Sequence, residues 1–154
     1  MIPILYPSET TDFSTNGLGG LPDCISATVT EERNGTFELS IEYPLNGLHF
    51  DEISVDRIIK AKPNNSDDPQ ACRIYAISKP INGKVTISAE HVFYQMLKIP
   101  VKPFSANTPD AVLSGVKANA LATVPFTFTT NKTGAVKFAI TEPRSMKGCL
   151  LGQE

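Results

Sequence analysis

Ile25-Ser26-Ala27-Thr28-Val29-Thr30-Glu31-Glu32-Arg33-Asn34-Gly35-Thr36-Phe37-Glu38-Leu39-Ser40-Ile41-Glu42-Tyr43 is the stretch that decides the fold class. Before Asn34-Gly35, Ile25, Ala27 and Val29 alternate with Ser26, Thr28 and Thr30. After it, Phe37, Leu39, Ile41 and Tyr43 alternate with Glu38, Ser40 and Glu42. A period of two is the pattern of half-buried strands, and a turn dipeptide between two such runs reads as an antiparallel hairpin. The faces choose the register. A two-residue loop, Asn34-Gly35, sets Thr30 opposite Leu39 and Thr28 opposite Ile41, which mixes polar and apolar side chains. A three-residue loop, Arg33-Asn34-Gly35, sets Val29 opposite Leu39, Ala27 opposite Ile41 and Ile25 opposite Tyr43. One face is then wholly apolar. A one-residue slip flips every side chain, so burial selects the second register. That loop takes a left-handed residue at its last position, and Gly35 stands there.

The device repeats downstream. Cys72 to Lys79 and Lys84 to Ala89 read as strands around Pro80-Ile81-Asn82-Gly83. A three-residue loop, Ile81-Asn82-Gly83, pairs Ile77 with Ile87 and Tyr75 with Ala89. A two-residue loop pairs Ile77 with Ser88, a poorer match of faces. Arg57 to Lys62 is a strand between the hairpins, and Pro63 to Pro69 is a polar surface loop. Met1 to Tyr6 reads as an edge strand, because Pro3 and Pro7 bar a central position.

From Glu90 the pattern changes. Glu90 to Leu97 has helical spacing, with Val92, Phe93, Met96 and Leu97 on one face and His91 at the helix start. A loop with Pro100 and Pro103 follows. Thr108 is placed to cap a helix and Pro109 suits its first turn, so a helix is expected to about Leu121. Phe126 to Thr129 and Val136 to Ile140 read as strands around a turn at Asn131 to Gly134. Pro143 to Gly152 starts like another helix and stops while still apolar, so a piece of a longer chain is expected. The fold class is therefore α+β and β-rich. An antiparallel β-barrel-like domain is expected over residues 1–100, with a smaller, truncated α+β subdomain over 101–154.

The 154 residues are 41% apolar and 19% charged, enough apolar content to bury a core. A net charge of −2 provides no basic field for a nucleic-acid backbone. The apolar runs are too short to span a bilayer. Met1 to Pro7 lacks the basic and apolar regions of a signal peptide, so none is expected. Twelve prolines and ten glycines with many Thr, Val, Ile and Phe argue for short strands and turns.

Residues that could carry chemistry are sparse. Cys24, Cys72 and Cys149 are odd in number and widely spaced, so buried free thiols are expected, with no disulfide framework or zinc site. HExxH, Walker A, GxGxxG and GxSxG motifs are lacking. Gly17-Leu18-Gly19-Gly20 reads as a flexible loop. His91 reads as a helix-terminal or satisfied core histidine, and His49 as a surface or packing residue in a glycine-containing connection. Glu31-Glu32, Asp51-Glu52 and Asp67-Asp68 read as solvated charge. Tyr6, Tyr43, Tyr75 and Tyr94 fall mostly at core-facing strand positions. No catalytic, metal or cofactor-binding residue and no cofactor is expected.

The order of elements resembles the N-terminal region of tail-associated minor structural proteins of long-tailed phages and prophages, also called prophage endopeptidase tail proteins. The likeness rests on Ile4-Leu5-Tyr6, Gly20-Leu21-Pro22-Asp23-Cys24, Val29 to Leu39 and Ile41-Glu42-Tyr43-Pro44. It continues through Gln70-Ala71-Cys72-Arg73-Ile74-Tyr75, Ser88-Ala89-Glu90-His91-Val92-Phe93-Tyr94 and the run Ser145 to Gly152. Cys24 and Cys72 depart from the small or aromatic residues of that pattern.

The resemblance implies a baseplate hub similar to the hub protein of contractile-tail phages. Such a protein forms a homotrimer at the tail tip, meets the distal tail protein ring and the tape measure protein, and reaches the host cell wall through downstream domains. It implies a structural role in the virion, with synthesis in the bacterial host cytoplasm, no membrane partner and no specific nucleic acid. It implies no enzyme activity in this segment, any peptidoglycan hydrolase lying further along the chain. A cell-wall endopeptidase, or a carbohydrate- or peptide-binding module on the same scaffold, is the competing expectation.

Overall fold

A computed structural model of the chain describes residues 1–32 and 35–152. Two compact units divide between Val92 and Phe93, close to the change of sequence pattern at Glu90 and before the boundary expected at residue 100. Unit 1 is a curled antiparallel half-barrel. Its strands are β1 (Ile4–Tyr6), β2 (Gly19–Gly20), β3 (Ser26–Glu31), β4 (Phe37–Pro44), β5 (Ile58–Ala61), β6 (Gln70–Ile77) and β7 (Lys84–His91). They form one seven-stranded sheet in the order β2-β1-β5-β6-β7-β4-β3.

The first hairpin has the register that face matching selects, with Val29 opposite Leu39 and Ala27 opposite Ile41. The Glu32 N–H donates to the Thr36 carbonyl at 2.7 Å and the Gly35 N–H to the Glu32 carbonyl at 3.0 Å, which closes a three-residue loop. Arg33 and Asn34 lie outside the described residues, and with them the φ of Gly35 across its bond to Asn34. The expected pair Ile25–Tyr43 does not form. The ladder begins at Ser26, and Ile25 is 56% exposed.

The second hairpin keeps Ile77 opposite Ile87 but reaches that pair by another route. Ile81 and Lys84 exchange both backbone hydrogen bonds, at 2.9 and 3.1 Å, around the two-residue loop Asn82-Gly83. Asn82 and Gly83 have φ of 52° and 74°, the primed turn that matches strand twist. The additional residue is taken up at Lys79-Pro80, where proline offers no donor to the ladder. Nor does Tyr75 face Ala89. A bulge sets Ile74 opposite Ala89 and Ala76 opposite Ser88. Ile74 and Ile77 are three residues apart and would point to opposite faces of a regular strand. The bulge turns both toward the core and sends Tyr75 outward.

β1 is not an edge strand. It lies between β5 and the two-residue β2, and Pro3 and Pro7 fall just outside its three paired residues. His91 does not start a helix. It ends β7 opposite Cys72, because the ladder to β6 continues through Glu90 and His91. The helical spacing beyond yields only a 3-10 segment, Val92–Lys98.

The inner face of the half-barrel buries Leu5, Leu39, Ile41, Tyr43, Ile59, Ile74 and Ile87. Part of the other face is covered too, where Phe13 packs on Tyr6, Ile58 and Ala71. Burial of each large side chain is worth about 1.5–3 kcal/mol, so the inner cluster is the main source of stability in unit 1.

Unit 2 contains β8 (Pro100–Val101), β9 (Phe104–Ala106), α1 (Pro109–Ala118), β10 (Phe138–Ile140), β11 (Arg144–Ser145) and α2 (Met146–Leu151). β9 pairs with β10, and β8 with β11. The expected hairpin between 126–129 and 136–140 is absent. Phe126 and Phe128 contribute side chains to the cluster of Val101, Val116 and Met146, while Phe138–Ile140 takes its backbone partner from Phe104–Ala106. The expected loop around Pro100 and Pro103 therefore carries two short strands. Thr108 caps α1, its Oγ1 accepting the Ala111 N–H at 3.3 Å. The helix ends at Ala118, short of Leu121, whose N–H instead donates to the Pro100 carbonyl at 2.9 Å. Ser145 caps α2 through the Gly148 N–H at 3.0 Å, and Gly152 stops it at φ 73°.

Candidate functional site

The thiols are not brought together. Cys24, Cys72 and Cys149 are not joined to one another by a disulfide. Burial pushes the Cys72 thiol up to about 12. Burial also raises Cys24, against a smaller lowering effect from the Ser26 backbone. Neither is a ready thiolate.

The histidines lie in different settings. His91 is held between the Phe37 ring, 4.7 Å away, and Gln70, whose Oε1 lies 3.1 Å from Nε2. Burial pushes its pKa down to about 4, so it is a neutral packing group at pH 7. His49 has φ 64° and pairs through Nδ1 with Glu52. Its ring occupies the space where a Cβ on Gly19 would stand. Gly19-Gly20 is thus a strand pressed against a histidine, where a flexible loop was expected.

Glu31, Glu32, Asp51, Asp67 and Asp68 are exposed, as solvated charge should be, whereas Glu52 is half-buried and pairs with His49. Tyr6 and Tyr43 are buried core residues with hydroxyls donating to backbone carbonyls. Tyr75 is exposed. Tyr94 stacks on Phe93 at 4.4 Å, with Lys147 Nζ 4.6 Å above its ring. Among the described residues no group of three or more His, Cys, Asp or Glu is placed to hold a metal ion. Among them, too, no helix is long and apolar enough to cross a membrane.

The feature that stands out is an edge. β3 is the last strand of the sheet, six residues long, with exposed Ser26, Ala27, Thr28, Thr30 and Glu31. A groove of about 240 Å³ continues it, of mixed polar and apolar lining that includes Ile2, Leu21, Cys24, Ile25, Ser26 and Ala27. A row of exposed backbone donors and acceptors beside apolar side chains is equipped to take another strand. The alternation of β3 was legible in the sequence. Its position at the edge was not, because strand order depends on contacts distant in the chain.

No protein-family model matches this chain, and comparison with curated proteins and with solved structures likewise finds no match.

Proposed function

We propose that this chain is a structural component of a phage or prophage tail tip or baseplate hub, closing the tail tube and carrying downstream host-interaction domains. The reading rests on the resemblance of the segments from Ile4-Leu5-Tyr6 to Ser145–Gly152. The observation that carries it is the half-barrel of unit 1, seven antiparallel strands curled around one apolar face. A β-barrel-like domain is what the resemblance implies for a hub.

In this reading the protein trimerises at the tail tip, and its heterologous contacts close into a ring. The distal tail ring and the tape measure protein are its neighbours, and the host cell wall is met by domains further along. The acid-leaning charge of −2 suits a lumen through which DNA passes without being gripped.

Co-expression of the complete gene product with its distal tail protein tests the proposal. Light scattering should give a trimer, and electron microscopy should show it seated on the distal tail ring. A complete protein that never trimerises and never binds that ring would remove the hub reading. Peptidoglycan hydrolysis by residues 1–154 alone would favour the endopeptidase instead.

A further inference from the structure

We infer that β3 is a self-pairing edge, and that two copies of this chain join through it in a two-fold antiparallel ladder centred on Val29. Among the described residues no strand pairs with the outer side of β3. Sheet edges are usually guarded by shortness, proline, lysine or a bulge. The opposite edge, β2, is guarded by being two residues long. β3 has six residues, Ser-Ala-Thr-Val-Thr-Glu, with no proline, no lysine and no bulge, and a single charge at its end.

The hairpin determines which groups point outward. The Glu32 N–H donates to Thr36, so even-numbered positions of β3 turn their backbone groups toward β4. Ala27, Val29 and Glu31 then turn theirs to solvent. Ile25 donates to the Glu42 carbonyl, so the free ladder starts at Ala27. Val29 is the midpoint of these three residues. A two-fold axis normal to the sheet at Val29 pairs it with its own copy and sets Ala27 opposite Glu31. All three outward positions are satisfied in each copy.

The side chains agree with that register. On the inner side two β-branched valines meet. On the outer side each Thr28 meets a Thr30, a favourable cross-strand pair, and no like charges stand opposite one another. The neighbouring two-fold register, centred on Thr28, places Glu31 against Ile25 and leaves fewer outward groups paired. A surface complementary to itself under two-fold rotation is an isologous interface, so the occupant it fits is a second copy. One strand pair buries less than a standard stable interface, so the dimer should be concentration-dependent. The inference stands on the edge alone and does not require the hub reading.

Charge placement at the exposed threonines tests both partner and register. Thr28→Lys with Thr30→Lys opposes ammonium groups across the two-fold axis. Thr28→Lys with Thr30→Glu opposes each lysine to a glutamate. Sedimentation equilibrium of the wild-type chain should show reversible dimers. The Lys/Lys variant should weaken association at least tenfold, and the Lys/Glu variant should match or exceed the wild type at low salt. Thr28 and Thr30 are both solvent-exposed, and circular dichroism verifies that each variant is folded.

A second readout is covalent. In a Cys24→Ser background, chains with Thr28→Cys and chains with Thr30→Cys should form a mixed disulfide far faster than either chain alone. A wild-type monomer at all concentrations overturns the inference. So does a trimer indifferent to the lysines, or a Lys/Glu variant as dissociated as Lys/Lys.

Discussion

Gly115→Ala, in the middle of α1, sets two effects of opposite sign against each other. In a solvent-facing helix the change stabilises by about 1 kcal/mol, because alanine loses less backbone freedom than glycine. At this position a Cβ would stand 2.8 Å from Cδ2 and 3.0 Å from Cζ of Phe104, and nearer still to Cε2. Non-bonded carbons sit at about 3.5–4.0 Å, so the ring must retreat by roughly an ångström. It has little room to do so. Phe104 is tied into β9 opposite Ile140, its ring lies 5.3 Å from that of Phe138, and both pack on the cluster containing Val116. Overpacking of this kind costs about 1–3 kcal/mol. The two terms leave a net loss of about 1 kcal/mol. Urea denaturation followed by circular dichroism, with hydrogen exchange of amides 110–118, reads that loss. The decisive control is Phe104→Ala. With the ring gone, Gly115→Ala should regain its stabilising sign, a coupling of about 2 kcal/mol between the sites. If Gly115→Ala stabilises α1 with Phe104 in place, the close approach of α1 to β9 is refuted.

His91 gives a pH dependence whose sign follows from burial. Its folded pKa, about 4, lies below the ordinary 6.5, so its contribution is complete above about pH 6.5. That contribution is lost as pH falls toward 4, because the unfolded chain takes up the proton first. The full difference is near 3 kcal/mol, and discounting for the ring's partial exposure leaves about 1–2 kcal/mol. His91→Gln should flatten the urea midpoint over this window, and an unchanged slope would contradict the assignment. Thr108→Ala should cost about 1 kcal/mol through loss of the α1 cap, visible as faster exchange at Ala111. Gly83→Ala meets open space, so only its φ of 74° opposes it. It should lose about 1–2 kcal/mol, whereas a D-alanine introduced there by chemical synthesis should lose nothing. Ile41→Ala, at a fully buried position opposite Ala27 and Ile87, should cost about 2–5 kcal/mol in chemical denaturation.

Pairing between β3 and β4 was readable from residues 25–43 because one face is buried and the other is not. Under that condition alternation and a glycine in the loop leave one register. The helix cap at Thr108 was readable for a similar reason, since it is a contact between residues three apart. Elsewhere the deciding energy came from residues far along the chain. Ile74 and Ile77 conflict in period-two spacing, and only the shared core with Ala89 and Ile87 explains the bulge that reconciles them. Glu90 and His91 have helical spacing, yet hydrogen bonds to a strand near residue 72 claim them for β7. Phe126 to Thr129 alternates as a strand should, but Phe138–Ile140 pairs with Phe104–Ala106 and leaves it without a ladder. The β3 edge belongs to this second group. Which strand ends a sheet depends on the order in which strands assemble around the core, and local side-chain patterning does not encode that order.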